Sequence, residues 1–162
     1  MDRSLELSVP SRTEYIAVVR LVVASLVSAR RSVAAERIDD LKLAVSEACT
    51  NAMEANRASE VADPRVVVSV WEAPERLEVC ISDSGRGFDP ERLPKHPPVT
   101  DPDRLNFERG LGIPLIRSLV DAVRFDSGPG GTSVWMTLFG GPAADGGDET
   151  AEILRVVLSD EH

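Results

Sequence analysis

The stretch "ISDSGRGFDP", Ile81 to Pro90, sets two glycines and two acids directly behind an alternating, strand-like run. Its forerunner "LEVCISD", Leu77 to Asp83, alternates apolar and polar residues as a half-buried strand does, and Asp83 stands at its end. Gly85 and Gly87 permit positive φ or the close approach of a flat ligand, and a sheltered carboxylate at Asp83 can accept a hydrogen bond from an exocyclic amine. Taken alone, the stretch reads equally as an ordinary turn and as the wall of a pocket. Its neighbours in the chain decide between the two.

Upstream, "RVVVSVW" (Arg65 to Trp71) and "LEVCISD" are joined by "EAPER" and predict a β-hairpin. Before it, Ile38, Leu41, Val45, Ala48 and Ala52 recur at helical spacing and predict a helix from about Ala34 to Asn56. Ile16, Val19, Val23, Leu26 and Val27 predict another from Thr13 to about Arg31. "LELSV" (Leu5 to Val9) alternates like a strand, and Pro10-Ser11 offers a stop followed by a helix cap. Downstream, Asp89 to Asn106 holds five prolines and almost no apolar periodicity, the composition of a long functional loop such as a lid. "GLGIPLIRSLVDAV" (Gly110 to Val123) returns to helical spacing, with Pro114 tolerable only in a first turn. "AVRFDS" and "TSVWMTLF" are strand candidates separated by "GPGG". This order of elements implies an α+β two-layer sandwich, its helices on one face of a mixed, mostly antiparallel sheet. Residues 1–140 form the expected domain, and 141–162 a flexible linker and C-terminal tail.

The bulk properties narrow the function. At 162 residues the chain is the size of one domain, with 43% hydrophobic residues but only 4% aromatic, so Val, Leu, Ile and Ala must build the core. A formal net charge of -9, with no Lys/Arg run, argues against direct nucleic-acid binding. The acidic, polar start "MDRSLELSVPSRTEY" is no secretory signal, and the apolar run Ile16 to Ala29 is broken by Arg20 and too short to span a bilayer. These features predict a cytoplasmic protein with no membrane association. Cys49 and Cys80 form no CxxC pair and sit in apolar periodic segments, where small buried side chains are expected.

Four local features carry chemistry in combination. In "SEACTNAMEAN", Glu47 and Asn51 lie one turn apart on one helix face, flanking the apolar stripe; such a pair can polarise a hydroxyl and give a neutral oxygen ligand to Mg²⁺. An isolated ExxxN is otherwise a solvated face, and Asp40 and Glu54 nearby read the same way. The Asp83 stretch is the second feature. In the third, "RGLGIPLI", Gly110 and Gly112 open a helix whose free N–H groups suit phosphate oxygens, with Arg109 adding positive charge. In the fourth, "GGTSVWMTL", Thr132 enters a terminal strand. Each of the last two alone is an ordinary helix start or turn.

In this order, the four features resemble the boxes of the GHKL ATPase superfamily and its Bergerat ATP-binding fold, over about Leu5 to Leu138. "EACTN" resembles the N box, "DSGRGF" and "RGLGIPLI" the two glycine boxes, and "GGT" the last. Small size, the N-terminal "LELSVPSRTEYIAVVRLVVASL" and "AVSEACTNAMEA" look most like the anti-sigma-factor serine kinases of the RsbW and SpoIIAB type. The resemblance implies an ATP- and Mg²⁺-dependent kinase that sequesters an alternative sigma factor and phosphorylates a STAS-domain anti-anti-sigma protein, with a homodimer as the working unit. It implies Glu47 as general base, Asn51 as Mg²⁺ ligand, and Asp83, Gly85, Gly87 and Thr132 around adenine. Arg109, Gly110, Leu111 and Gly112 would surround the phosphates, and Arg20 would contact the partner. Where relatives often carry a His or an aromatic pair after the N box, this chain has Ala55-Asn56-Arg57. Two other readings of the same boxes are a nucleotide-sensing module that sequesters a partner without transfer and a detached histidine-kinase-like ATPase module.

Overall fold

A computed structural model describes residues 2–29, 33–87 and 112–140. The chain runs through strand β1 (Asp2–Pro10), helix α1 (Ile16–Ser28), helix α2 (Ala35–Ala58), strands β2 (Arg65–Ala73) and β3 (Arg76–Ser82), helix α3 (Gly112–Leu119), and strands β4 (Ala122–Gly128) and β5 (Gly131–Phe139). The five strands form one sheet in the order β1-β2-β3-β5-β4, and all four ladders are antiparallel. Three helices pack on this sheet, which is the expected α+β sandwich.

Strand alternation builds the inner layer. Val66, Val68 and Val70 of β2, Leu77, Val79 and Ile81 of β3, and Val134, Met136 and Leu138 of β5 are all buried. They meet Val19, Val23, Leu26 and Val27 of α1 and the four-residue stripe Leu41, Val45, Ala48 and Ala52 of α2 in one core. Burying one Val or Leu side chain contributes about 1.5–3 kcal/mol. Exposed ion pairs such as Lys42–Asp39 each contribute about 0–1 kcal/mol, so the aliphatic layer holds the sandwich together. Cys49 is buried in this layer and Cys80 on the opposite face of the sheet, both buried as expected, and burial pushes the Cys49 thiol up to about 12 and raises Cys80. Neither thiol is poised for nucleophilic chemistry.

The opposite sheet face is built differently. Trp71 and Trp135 reach diagonally across β3 with ring centroids 4.7 Å apart, and the Arg124 guanidinium lies 4.6 Å over the Trp135 ring.

Three local expectations are corrected. Ser11 is not a helix cap: its N–H donates to the Pro64 carbonyl and its hydroxyl accepts from Asn56, so it joins β1 to the start of β2. The chain makes a 3-10 turn over Thr13–Tyr15 before α1 begins. The helix expected to reach Val123 ends at Leu119, where Arg37 donates to the last carbonyl and pairs with Asp121 at 2.8 Å. Asp121 then turns the chain: its N–H donates to Thr137 and its carboxylate accepts from the Phe139 N–H, which leaves Ala122 and Val123 to pair in β4.

Candidate functional site

Glu47 and Asn51 project from the middle of α2, half-buried, beside the core stripe. The first described residue of α3 lies directly against them. A methyl group added to Gly112 would stand 3.0 Å from Nδ2 and 3.1 Å from Oδ1 of Asn51, and 3.3 Å from Oε2 of Glu47. Glycine at this position therefore lets the start of α3 approach both polar side chains. Glu47 has no hydrogen-bond or ion-pair partner among the described residues. Two oxygen-bearing side chains meeting a helix start make a suitable setting for a hard cation and phosphate oxygens. Asp40, on the same face of α2, pairs with Arg37 at 3.7 Å, and Glu54 is exposed.

The second cluster forms where β3 runs into the glycine loop. Asp83 is half-buried between two main-chain donors: its Oδ1 accepts the N–H of Gly85 at 2.8 Å and of Thr132 at 3.2 Å, while its own N–H donates to the Thr132 carbonyl at 2.9 Å. Oδ2 has no partner among the described residues. Burial raises the Asp83 carboxyl above its ordinary range, and the Gly85 and Thr132 donors offset part of that rise. One oxygen is thus fixed, and the other can accept a further hydrogen bond as far as the described residues are concerned. Thr132 is buried, and its hydroxyl pairs with Ser127 at 2.9 Å, so its main chain, rather than its side chain, brackets Asp83.

The loop itself is held from both sides. Gly87 has φ 73, and any side chain there would strike the Gly128 carbonyl in the β4–β5 turn. Gly85 rests on the last turn of α2, where an added Cβ would sit 2.9 Å from the Ala55 carbonyl oxygen. The four N–H groups of residues 83–86 are all used within the protein, donating to the Thr132 carbonyl, Asn56 Oδ1, Asp83 Oδ1 and Ser59 Oγ. The loop is therefore not an amide cradle for phosphate; what it offers a ligand is a carboxylate oxygen and a shape.

Arg20 is exposed on α1 and lines a groove of about 630 Å³ with Leu21, Asp39, Lys42, Leu43 and Ser46, on the flank of α2 that adjoins the Glu47 face. Leu21 is 68% exposed and Leu43 44%, an unusual exposure for leucine beside two opposite charges, Lys42 and Asp39. Arg109, Gly110 and Leu111, together with the expected lid over Asp89 to Asn106, lie outside the described residues, as does the segment 141–162.

Asn56 and Ser59 are the site-associated residues that pattern and motif missed. The available signal was positional: Asn56 follows Ala52 by four residues and so continues the apolar stripe, where a carboxamide must find buried partners.

Comparison with known proteins gives the same picture. Residues 9–138 match the model of the histidine kinase-like ATPase domain. The serine-protein kinase RsbW of Bacillus pumilus is 36% identical over 140 residues, which cover 83% of this chain and 85% of that protein. RsbW of Bacillus subtilis is 34% identical over 146 residues, covering 87% and 89% respectively. Among solved structures, the RsbU and RsbW domains of a Mycobacterium tuberculosis protein align with TM-score 0.58 at 20% identity, over 86% of this chain and 34% of that one. The histidine kinase domain of a blue-light activated kinase from Erythrobacter litoralis aligns with TM-score 0.51 at 22% identity, over 80% and 65%. Those two likenesses concern the fold, whereas the sequence matches span nearly all of the Bacillus proteins: the chain belongs to the RsbW serine-protein kinases of the histidine kinase-like ATPase family.

Proposed function

We propose that this kinase transfers the γ-phosphoryl group of ATP to a serine of a STAS-domain anti-anti-sigma protein, and that it sequesters an alternative sigma factor when that antagonist is phosphorylated. The observation that carries the catalytic part is the convergence of Glu47 and Asn51 on Gly112. A carboxylate without a partner can take the proton of an incoming serine hydroxyl as its oxygen bonds to phosphorus, and ADP leaves with the electrons of the broken bond. Asn51 supplies a neutral oxygen to Mg²⁺, which when bound neutralises charge on the phosphate oxygens. Asp83 Oδ2 accepts the adenine amine, while Gly85 and Gly87 let the ring lie against the loop. The donor set fits these groups: a half-buried carboxylate with one oxygen held by main-chain donors, a carboxamide oxygen for the cation, and a second carboxylate beside it for the proton. Arg109, Gly110 and Leu111 complete the proposed phosphate contacts.

Arg20 and the exposed leucines beside it form the partner surface in this reading, with the guanidinium pairing to a partner carboxylate and Leu21 and Leu43 providing the apolar contact. The edge strand β1 is the proposed homodimer contact, since β2 occupies only one of its two sides. Incubation with labelled ATP, Mg²⁺ and a cognate STAS-domain antagonist is expected to label a serine by an acid-stable linkage. Glu47→Ala is expected to lower that transfer about 10²- to 10⁴-fold with nucleotide affinity kept within a few-fold. Undiminished transfer would remove Glu47 from the base role, and an acid-labile product would assign the chain to histidine rather than serine.

A further inference from the structure

The last turn of α2 holds the glycine loop in three consecutive places. Asn56 is 1% exposed and uses both ends of its carboxamide: Nδ2 donates to the Arg65 carbonyl at 2.9 Å and to Ser11 Oγ at 3.3 Å, and Oδ1 accepts the Ser84 N–H at 3.0 Å. A carbonyl on one side and an N–H on the other leave only one orientation of the amide that satisfies both. Gly85 packs on Ala55 with no room for a Cβ. Ser59, the residue that ends the helix, accepts the Arg86 N–H on its hydroxyl at 2.9 Å. Ser84, Gly85 and Arg86 are therefore seated in turn on Asn56, Ala55 and Ser59, immediately after the carboxylate of Asp83.

This seating constrains Asp83 indirectly. Gly85 donates to Asp83 Oδ1, so any drift of the loop off α2 withdraws one of the two donors that fix this carboxylate. The same helix carries Glu47 and Asn51 one to three turns earlier. We propose that Asn56 and Ser59 are positioning residues for the nucleotide: by holding the Ser84–Arg86 backbone on α2 they set where Asp83 presents its free oxygen relative to the Glu47/Asn51 cluster. The proposal rests on Asp83 being the base-recognising carboxylate. Neither side chain touches the ligand; each acts through the loop.

Ser59 gives the cleaner test, because it is only half-buried and Arg86 is exposed, so water can replace the lost acceptor without unfolding the loop. With the full-length protein and Mg²⁺-ATP, Ser59→Ala is expected to weaken ATP binding between about 2- and 10-fold, the range of one modest hydrogen bond, with the thermal midpoint unchanged. Phosphotransfer at saturating ATP is expected to stay within about 2-fold, so the loss appears in KM and not in kcat. Ser59→Thr keeps the oxygen and is expected to restore binding. Asn56→Ala removes a buried anchor and lowers the thermal midpoint as well. A tenfold or greater loss of ATP affinity measured below its midpoint is the expected reading.

If both variants bind ATP as tightly as the unaltered chain, or if Ser59→Thr is as weak as Ser59→Ala, the positioning role is overturned while the kinase reading stands. If Asp83→Asn leaves ATP affinity unchanged, the underlying assignment of Asp83 fails and the positioning role fails with it. If ATP binds normally but no partner serine is labelled, the kinase function fails and the positioning role is still judged by the binding constants.

Discussion

Asp83 and Glu47, the two carboxylates of the site, are prepared in opposite ways. Asp83 is gripped by two main-chain donors, half-buried, and backed by a loop whose N–H groups from Ser84 to Arg86 are already engaged within the protein. Glu47 stands on a helix face with no partner among the described residues, against a glycine that leaves it room. The difference matches the two proposed tasks. A group that recognises a ligand gains from having its geometry set before the ligand arrives, since little ordering then remains to be done on binding. A group that must accept a proton needs an oxygen left unoccupied until the hydroxyl comes within reach.

Exchanging these properties is the strongest way to break the contrast. Asp83→Asn keeps the volume and the acceptor for Gly85 and Thr132, but turns the second oxygen, the proposed acceptor of the adenine amine, into an amide that would meet it donor to donor. ATP affinity measured by calorimetry is expected to fall about 10- to 100-fold, the scale of a charge-assisted hydrogen bond. Because the transfer chemistry sits elsewhere, the rate at saturating ATP is expected to change far less. A loss confined to that rate would reverse the two roles.

Gly112→Ala probes the other carboxylate. Its new methyl group would press on Asn51 and Glu47 at 3.0–3.3 Å, tighter than ordinary van der Waals contact, so one of the two side chains must give way. Phosphotransfer is expected to drop about tenfold, at a strain cost of about 1–3 kcal/mol, while Asp83 is untouched. Unchanged transfer would show that the two side chains are free to move, and hence that the cluster is less constrained than the base-binding loop.

The smallest effect is the response to acid. Burial raises the Asp83 carboxyl, so on acidification it takes up its proton at higher pH than an exposed aspartate would. The sign follows: the charged acceptor that binds the amine is present above that raised value and is lost as pH falls through it. ATP affinity is therefore expected to decline a few-fold on acidification, beginning before ordinary aspartates titrate. Asp83→Asn is expected to flatten that profile, and an unaltered slope in the variant would assign the titration to another group. In the free protein the same shift favours the protonated form, so this residue's contribution to stability is greatest at low pH and is lost as pH rises through its folded value.

Much of this arrangement was legible because it is periodic or local. The stripe Leu41, Val45, Ala48, Ala52 announces α2 and puts Glu47 and Asn51 on its flank, and the alternation ending at Asp83 announces β3. The end of α3 was misplaced because Leu119 to Val123 is apolar enough for either element. A distant residue decides it: Arg37 closes the helix through the Leu119 carbonyl. Asn56 was passed over for a similar reason. Its meaning lies in contacts with Ser11, Arg65 and Ser84, at separations of 45, 9 and 28 residues, and no local pattern carries such information. Ser11 was misread as a cap because its true partners, Pro64 and Asn56, are equally remote.

Helix α2 also acts as a ruler. Glu47 and Asn56 belong to one uninterrupted helix, nine residues or about 13 Å apart along its axis. In the proposed assignment, the interval between purine recognition and phosphoryl transfer is thus counted out in helical residues rather than spanned by a loop. One residue inserted between Asn51 and Asn56 would turn one end by about 100° relative to the other, separating recognition from transfer with every functional side chain still present.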